Sequence, residues 1–108
     1  MAISPLLEFD NLTAVTLAAS ATAEVLTDSE VAVEAVILYA DDSNAGTIYV
    51  GGSAVDAASG IPLKPKENWP IWTDRSHGAT ADIDLRSIYV TGTMGDKVRV
   101  AYLKRDAG

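Results

Sequence analysis

The sequence predicts an all-β protein, a small antiparallel β-sandwich or jelly-roll-like barrel with an extended N-terminal arm. Three observations lead there. Short apolar runs rich in Val, Ile and Tyr recur at strand length, several with clean period-two alternation. Clusters of Gly, Asp, Asn and Pro separate them, which is turn chemistry. No segment makes a convincing helix. The 108 residues suit one domain, 12–108, preceded by the arm, 1–11.

Residues 1–11, ending in FDN, lack periodicity and contain Pro5, so they read as an arm or a loosely attached edge segment. In NLTAVTLAASATAEVL (11–26) the alanines would permit a helix, but Thr and Val favour two short strands. VAVEAVILYA (31–40) is apolar on both faces, Val33, Ala35, Ile37 and Tyr39 on one and Val36 and Leu38 on the other. That pattern predicts a central strand covered on both sides. DDSNAG is a turn in which Asp and Asn bond their own backbone and Gly46 is free to take positive φ. TIYV (strand 47–51) follows, so 31–50 reads as a hairpin.

GGSAVDAASGIPLKP is a long connection, and ENWPIWTD a short strand (67–73) whose Pro70 fits an edge. RSIYV (strand 86–91) and KVRVAYL (97–103), joined by TGTMGD, read as a closing hairpin. In the last strand Val98, Val100 and Tyr102 face one way, Lys97, Arg99 and Ala101 the other. The expected core is Val36, Leu38, Ile48, Val50, Ile88, Val90, Val98 and Val100. The phrase GTIYVGGS (46–53) is echoed in RSIYVTGT (86–93). It reflects either an internal duplication or convergence on good strand residues.

Composition narrows the function classes. A net charge of −7 argues against nucleic acid as a partner, because phosphate binding needs a basic field. Without cysteine there are neither disulfides nor thiolate metal sites. MAISPLLEFD has no signal-peptide features, and no run approaches the ~20 apolar residues of a membrane helix. A soluble protein made in the cytoplasm, with no membrane partner, is expected. Residues 1–60 hold nine acidic residues and no Lys or Arg, whereas 61–108 hold all eight basic residues against six acidic ones. Either both halves are simply solvated, or the surface is polarised for contact with a second copy or a larger partner. In the second case Lys97, Arg99, Lys104 and Arg105 are the natural basic contributors, opposite the apolar face of the last strand. Such rim contacts weaken as salt rises.

No constellation demands an enzyme, a cofactor or a metal. Asp74, Ser76 and His77 name the parts of a catalytic triad, but neighbours in one loop rarely reach relay geometry. DDSNAG opens like a calcium loop, yet Gly52 stands where the bidentate Glu belongs. GGSAVDAASG lacks the Gly-Lys-Ser/Thr of a phosphate loop. Asn11-Leu12-Thr13 fits a glycosylation acceptor, which means little without a secretory signal. Alternation puts Trp69 with Ile71 on one face and Trp72 with Pro70 on the other, so either one tryptophan lies at a rim or contact surface or both pack locally under a long loop. Trp72 is the candidate anchor.

The order ILYADDSNAGTIYVGGSAVDAASGIPLKP, a short strand, then DLRSIYVTGTMGDKVRVAYL resembles a class of small virion proteins of tailed bacteriophages. In that class an apolar strand leads into an Asn-X-Gly turn and an Ile-Tyr-Val-Gly strand. A loop ending in Gly-Ile-Pro-Leu follows, then an aspartate-leucine-to-Ile-Tyr-Val strand and a Gly-(Asp/Gln)-X-Val-Arg-Val closing hairpin. The likeness spans about Val36 to Leu103. Where the class carries a Pro-Gly-Glu turn, this chain has Pro65-Lys66-Glu67. The resemblance implies a structural role on the virion, with capsid decoration favoured. The major capsid protein would be the partner, assisted by self-association as a homotrimer or other homo-oligomer. The alternative, from another class, is a tail or fibre module that recognises a host-surface glycan through exposed aromatics and loop polar groups, with Trp72, Tyr49 and the Asp41–Asn44 loop as its site.

Overall fold

The computed structural model describes residues 7–72 and 83–105. Its strands are Leu7–Asn11 (β1), Val15–Thr16 (β2), Glu24–Val25 (β3), Ala32–Val33 (β4), Ala35–Ala40 (β5) and Ile48–Gly51 (β6). Ile61–Leu63 (β7), Asn68–Trp72 (β8), Ile83–Asp84 (β9), Tyr89–Thr91 (β10) and Lys97–Arg105 (β11) follow. Among the described residues there is no α-helix, only a 3-10 turn at Leu85–Ser87. One sheet runs β1-β11-β5-β8, with β2 also pairing β11; the second runs β3-β10-β6-β7; β4 and β9 form a small two-stranded sheet. All the pairings are antiparallel. The chain is an all-β fold, as the sequence predicts.

The two larger sheets are joined strand by strand. β2 leads to β3 through 17–23, β5 to β6 through 41–47, β7 to β8 through 64–67 and β10 to β11 through 92–96. Antiparallel pairing sends all four crossings out at the same end, where they stack side by side. Leu17 N donates to Asp96 O (2.9 Å), Asp41 N to Lys97 O (3.1 Å) and Ala40 N to Glu67 O (2.9 Å), tying each arch to the next. The Asp96 carboxylate, 4% exposed, accepts from Ala45 N (2.8 Å) and Gly46 N (3.0 Å) of the neighbouring arch. The Asn44 amide donates to Lys97 O (2.8 Å) and accepts from Lys97 N (2.7 Å), imitating a strand partner. At Gly92 a side chain would meet the Thr47 carbonyl at 2.9 Å, so only glycine allows the arches this close.

The hairpins expected at 31–50 and 86–103 are therefore arches that cross between sheets. Alternation fixes which face of a strand is apolar, and that holds equally for a neighbour in the sheet and for a partner across the core. The echoed phrases do become neighbours. β6 and β10 pair with Val50 opposite Val90, and Ile48 and Ile88 are buried beside them. The whole expected core is buried, joined by Leu17, Leu26, Val33, Leu63, Leu85 and Tyr102. Each such aliphatic side chain contributes ~1.5–3 kcal/mol relative to exposure.

Other elements differ from expectation. Of residues 1–11, Leu7–Asn11 are an edge segment paired as a full strand against Ala101–Arg105, because β2 occupies that edge of β11 only at Lys97 and Val98 and leaves the rest of it free. Residues 1–6 lie outside the described residues, as do Thr73, Asp74, Ser76 and His77. Run 31–40 breaks at Glu34, where the chain passes from the β9 partner to the larger sheet. β5 is central and its Val36/Leu38/Ala40 face is buried; on the other face Ala35 is buried too, but Ile37 is exposed and Tyr39 half-buried. Arg86 and Ser87 belong to the 3-10 turn, because the Asp84 carboxylate accepts from Arg86 N (2.9 Å) and caps it. Gly46 does not use positive φ; Ala21 (56°), Lys66 (75°) and Gly95 (91°) do. Lys66 thus takes, at strain, the conformation that the glycine of a Pro-Gly-Glu turn adopts freely.

Candidate functional site

The outer face of the larger sheet is built by register. Odd positions of β11 point away from the core, and Phe9, Leu103, Ala35 and Trp72 form one row across β1, β11, β5 and β8. Asn11, Ala101, Ile37 and Pro70 form the next. Phe9 is 71% exposed, Trp72 64% and Ile37 36%. A sheet packed on one side only accounts for exposed polar residues here, but not for two aromatic rings standing in water.

A polar cluster closes this face toward the arches. Arg99 Nε and Nη2 both contact Asp41 Oδ1 at 2.8 Å, while the guanidinium lies 5.7 Å from the centroid of the Tyr39 ring. Ser43 donates its hydroxyl and backbone N–H to Asp41, and these two bonds, with Arg99 added, hold the Asp41 carboxyl down at about 2. The Tyr39 phenol donates to Asp42, which pushes the phenol upward. A groove of about 340 Å³ runs beside this cluster, bordered by Leu12, Ala14, Ile37, Tyr39 and Arg99.

The outer face of the second sheet carries another cleft, about 290 Å³, over Tyr49 and Thr91. The 52–60 connection folds back across this sheet and seals one side with Val55. A side chain at Gly60 would strike Tyr49 Cβ and Val55 Cγ2 at 2.7 Å, so glycine is required for that fold-back. Asp56 braces the loop, its Oδ1 accepting from Ala58 N (3.0 Å), Ser59 N (2.8 Å) and Ser59 Oγ (2.9 Å). The Ser59 contacts, first the hydroxyl and then the backbone, lower the Asp56 carboxyl below its usual range.

Among the residues singled out from sequence, Trp72, Lys97 and Arg99 share the outer face of the larger sheet. Tyr49 stands on the other sheet, so Tyr49 and Trp72 do not form one glycan site; only the Asp41–Asn44 arch lies near Arg99. Lys104 has the parity of Tyr102 and so belongs to the core-facing side, its Nζ 3.7 Å from Asp10. Arg105 ends β11 opposite Leu7. The charge asymmetry is used within the chain. Asp10–Lys104, Glu30–Arg86 (3.6 Å) and Asp41–Arg99 each join an acid of the first half to a base of the second. No group of three or more acidic or histidine residues placed to hold a metal occurs among the described residues. No helix among them is long and apolar enough to cross a membrane.

No family model, curated protein or solved structure matches the chain. Phe9 and Ile37 are the members of the apolar face that sequence reading missed. Two apolar residues, Leu7 and Phe9, are too few to read as periodic, and their place depends on pairing with β11.

Proposed function

We propose that the chain is a structural virion protein of a tailed bacteriophage that decorates the capsid. It docks in many copies on the major capsid protein through the outer face of the five-stranded sheet. The observation that carries this reading is the apolar row Phe9–Leu103–Ala35–Trp72, exposed at its two aromatic ends, taken with the ordered motifs from Val36 to Leu103. Aromatic side chains bury ~150–250 Å² each, worth several kcal/mol at ~25 cal/mol/Å² before the cost of association. Such a contact is modest per copy and becomes firm by repetition on a lattice or within a homo-oligomer. Because Arg99 and Lys104 are engaged within their own chain, attachment should survive high salt, unlike a contact built on rim charges.

Two measurements test the reading. Band intensities from purified particles, scaled to the major capsid protein, give the copy number. Hundreds per particle are expected, and a handful points to a tail device instead. Trp72→Ser and Phe9→Ser should leave the melting temperature nearly unchanged and abolish binding to stripped particles; particle binding at the wild-type level by both variants refutes this face. Light scattering of the free protein addresses self-association. A monomer far above micromolar concentration leaves the lattice as the source of multivalency.

A further inference from the structure

The cleft on the second sheet has a polar character that packing does not explain. Its floor is Thr47, Tyr49, Thr91 and Thr93 around Gly92, with Ala21 of the first arch on one wall and Asp56 on the other. Tyr49 and Thr91 are directly opposed in register. Thr91 is 2% exposed, and its Oγ1, shut off from water, has no hydrogen-bond partner. A buried hydroxyl left unpaired is costly and uncommon in folded proteins. A χ1 step of one staggered well carries this hydroxyl to the position that the methyl group holds. The side-chain hydroxyls of Thr47, Tyr49 and Thr93 likewise make no hydrogen bond to the described residues. Asp56 spends Oδ1 on its own loop and leaves Oδ2 without a partner there.

Four residues with polar side-chain atoms that have no partner within the described chain thus line one small cleft beside an aromatic ring, together with Thr91, whose unpaired hydroxyl is enclosed. Hydroxyls donate and accept, the carboxylate only accepts, and the lining contains no basic side chain. An anionic ligand would meet a negative charge with nothing to offset it. A ligand rich in hydroxyl groups, with C–H edges to lie against Tyr49, suits this lining, and the χ1 step of Thr91 adds one more hydroxyl to it. The volume is at the lower end of small-molecule sites, suited to a single ring.

We propose that this cleft binds one ring of a neutral saccharide, with Asp56 and Thr91 as the polar contacts and Tyr49 as the apolar platform. The inference does not depend on the virion reading, because it uses the opposite sheet. Only the exposed end of a sugar chain fits so shallow a site, so binding is weak, with a dissociation constant of order 1 mM.

The test is a nitrogen-15 heteronuclear titration of the full chain with glucose, galactose, mannose, rhamnose and N-acetylglucosamine, each to about 50 mM, well above that constant. At least one sugar should give saturable shifts at the amides of Thr47, Tyr49, Asp56 and Thr91–Thr93. Inorganic phosphate should give none. Thr91→Val keeps the shape and removes the unpaired hydroxyl, so it should melt no lower than wild type while weakening the sugar at least about tenfold. Asp56→Asn keeps an Oδ1 for the loop and should weaken binding similarly. The proposal is overturned if no sugar in the panel gives saturable shifts, if phosphate shifts the same amides, or if Thr91→Val binds as wild type.

Discussion

Replacing Asp96 by alanine removes one carboxylate and unlatches two arches at once. Asp96 is almost fully enclosed and holds Ala45 N and Gly46 N at 2.8 and 3.0 Å. Without it two backbone donors have no acceptor, and each such orphan costs ~1–3 kcal/mol where water is excluded. The two donors are only part-buried, so the lower half of that range applies, about 2–4 kcal/mol in total. A chain of this length has ~5–15 kcal/mol of stability, so a large fraction would go. Asp96→Asn keeps one acceptor but turns an N–H₂ toward the second amide, and about 1–2 kcal/mol should be lost. Urea unfolding read by linear extrapolation measures both variants. Hydrogen exchange should show Ala45 and Gly46 losing protection in the alanine variant while the Ile48–Gly51 strand keeps it. If Asp96→Ala lies within ~0.5 kcal/mol of wild type, or Asp96→Asn is the worse of the two, the arches are not held by this carboxylate.

Lys66→Gly should stabilise the protein by about 0.5–1 kcal/mol. A left-handed non-glycine residue costs ~1–2 kcal/mol, and glycine returns roughly half of that as chain entropy; a lower urea midpoint would contradict it. Val98→Ala, at a fully buried position, should cost about 1–3 kcal/mol in the same assay. Asp41 sets an acid limit. Its carboxyl titrates at about 2 in the folded chain against 3.8 ordinarily, so the unfolded chain binds the proton first and stability falls as pH drops from about 4 toward 2. Asp41→Asn should flatten that part of the stability–pH curve, and an unchanged slope between pH 4 and 2 would refute the assignment.

The sequence by itself determined the β class, the buried face of nearly every strand, and the exposure of Trp72 and Arg99. These follow from period-two alternation and from turn residues, which are local properties of the chain. Lys104 was misplaced despite that rule, because a long basic side chain at a strand end reads as exposed on either face, whereas its parity sets it beside Asp10. Only the tertiary structure decided which strands are neighbours. Alternation at Val36/Leu38 and Ile48/Val50 is the same whether the two strands lie side by side or face each other across a core. The choice rests on Asp96, Asn44 and Gly92, which act on backbone groups far along the chain. The apolar face and the hydroxyl-lined cleft share that dependence. Phe9 shares a row with Trp72 only through the β1–β11–β5–β8 register, and Thr91 shares a cleft with Asp56 only because the 52–60 connection folds back over Tyr49. A pattern with a period of two records a side chain's direction, and the identity of its long-range partner is a property of the folded sheet alone.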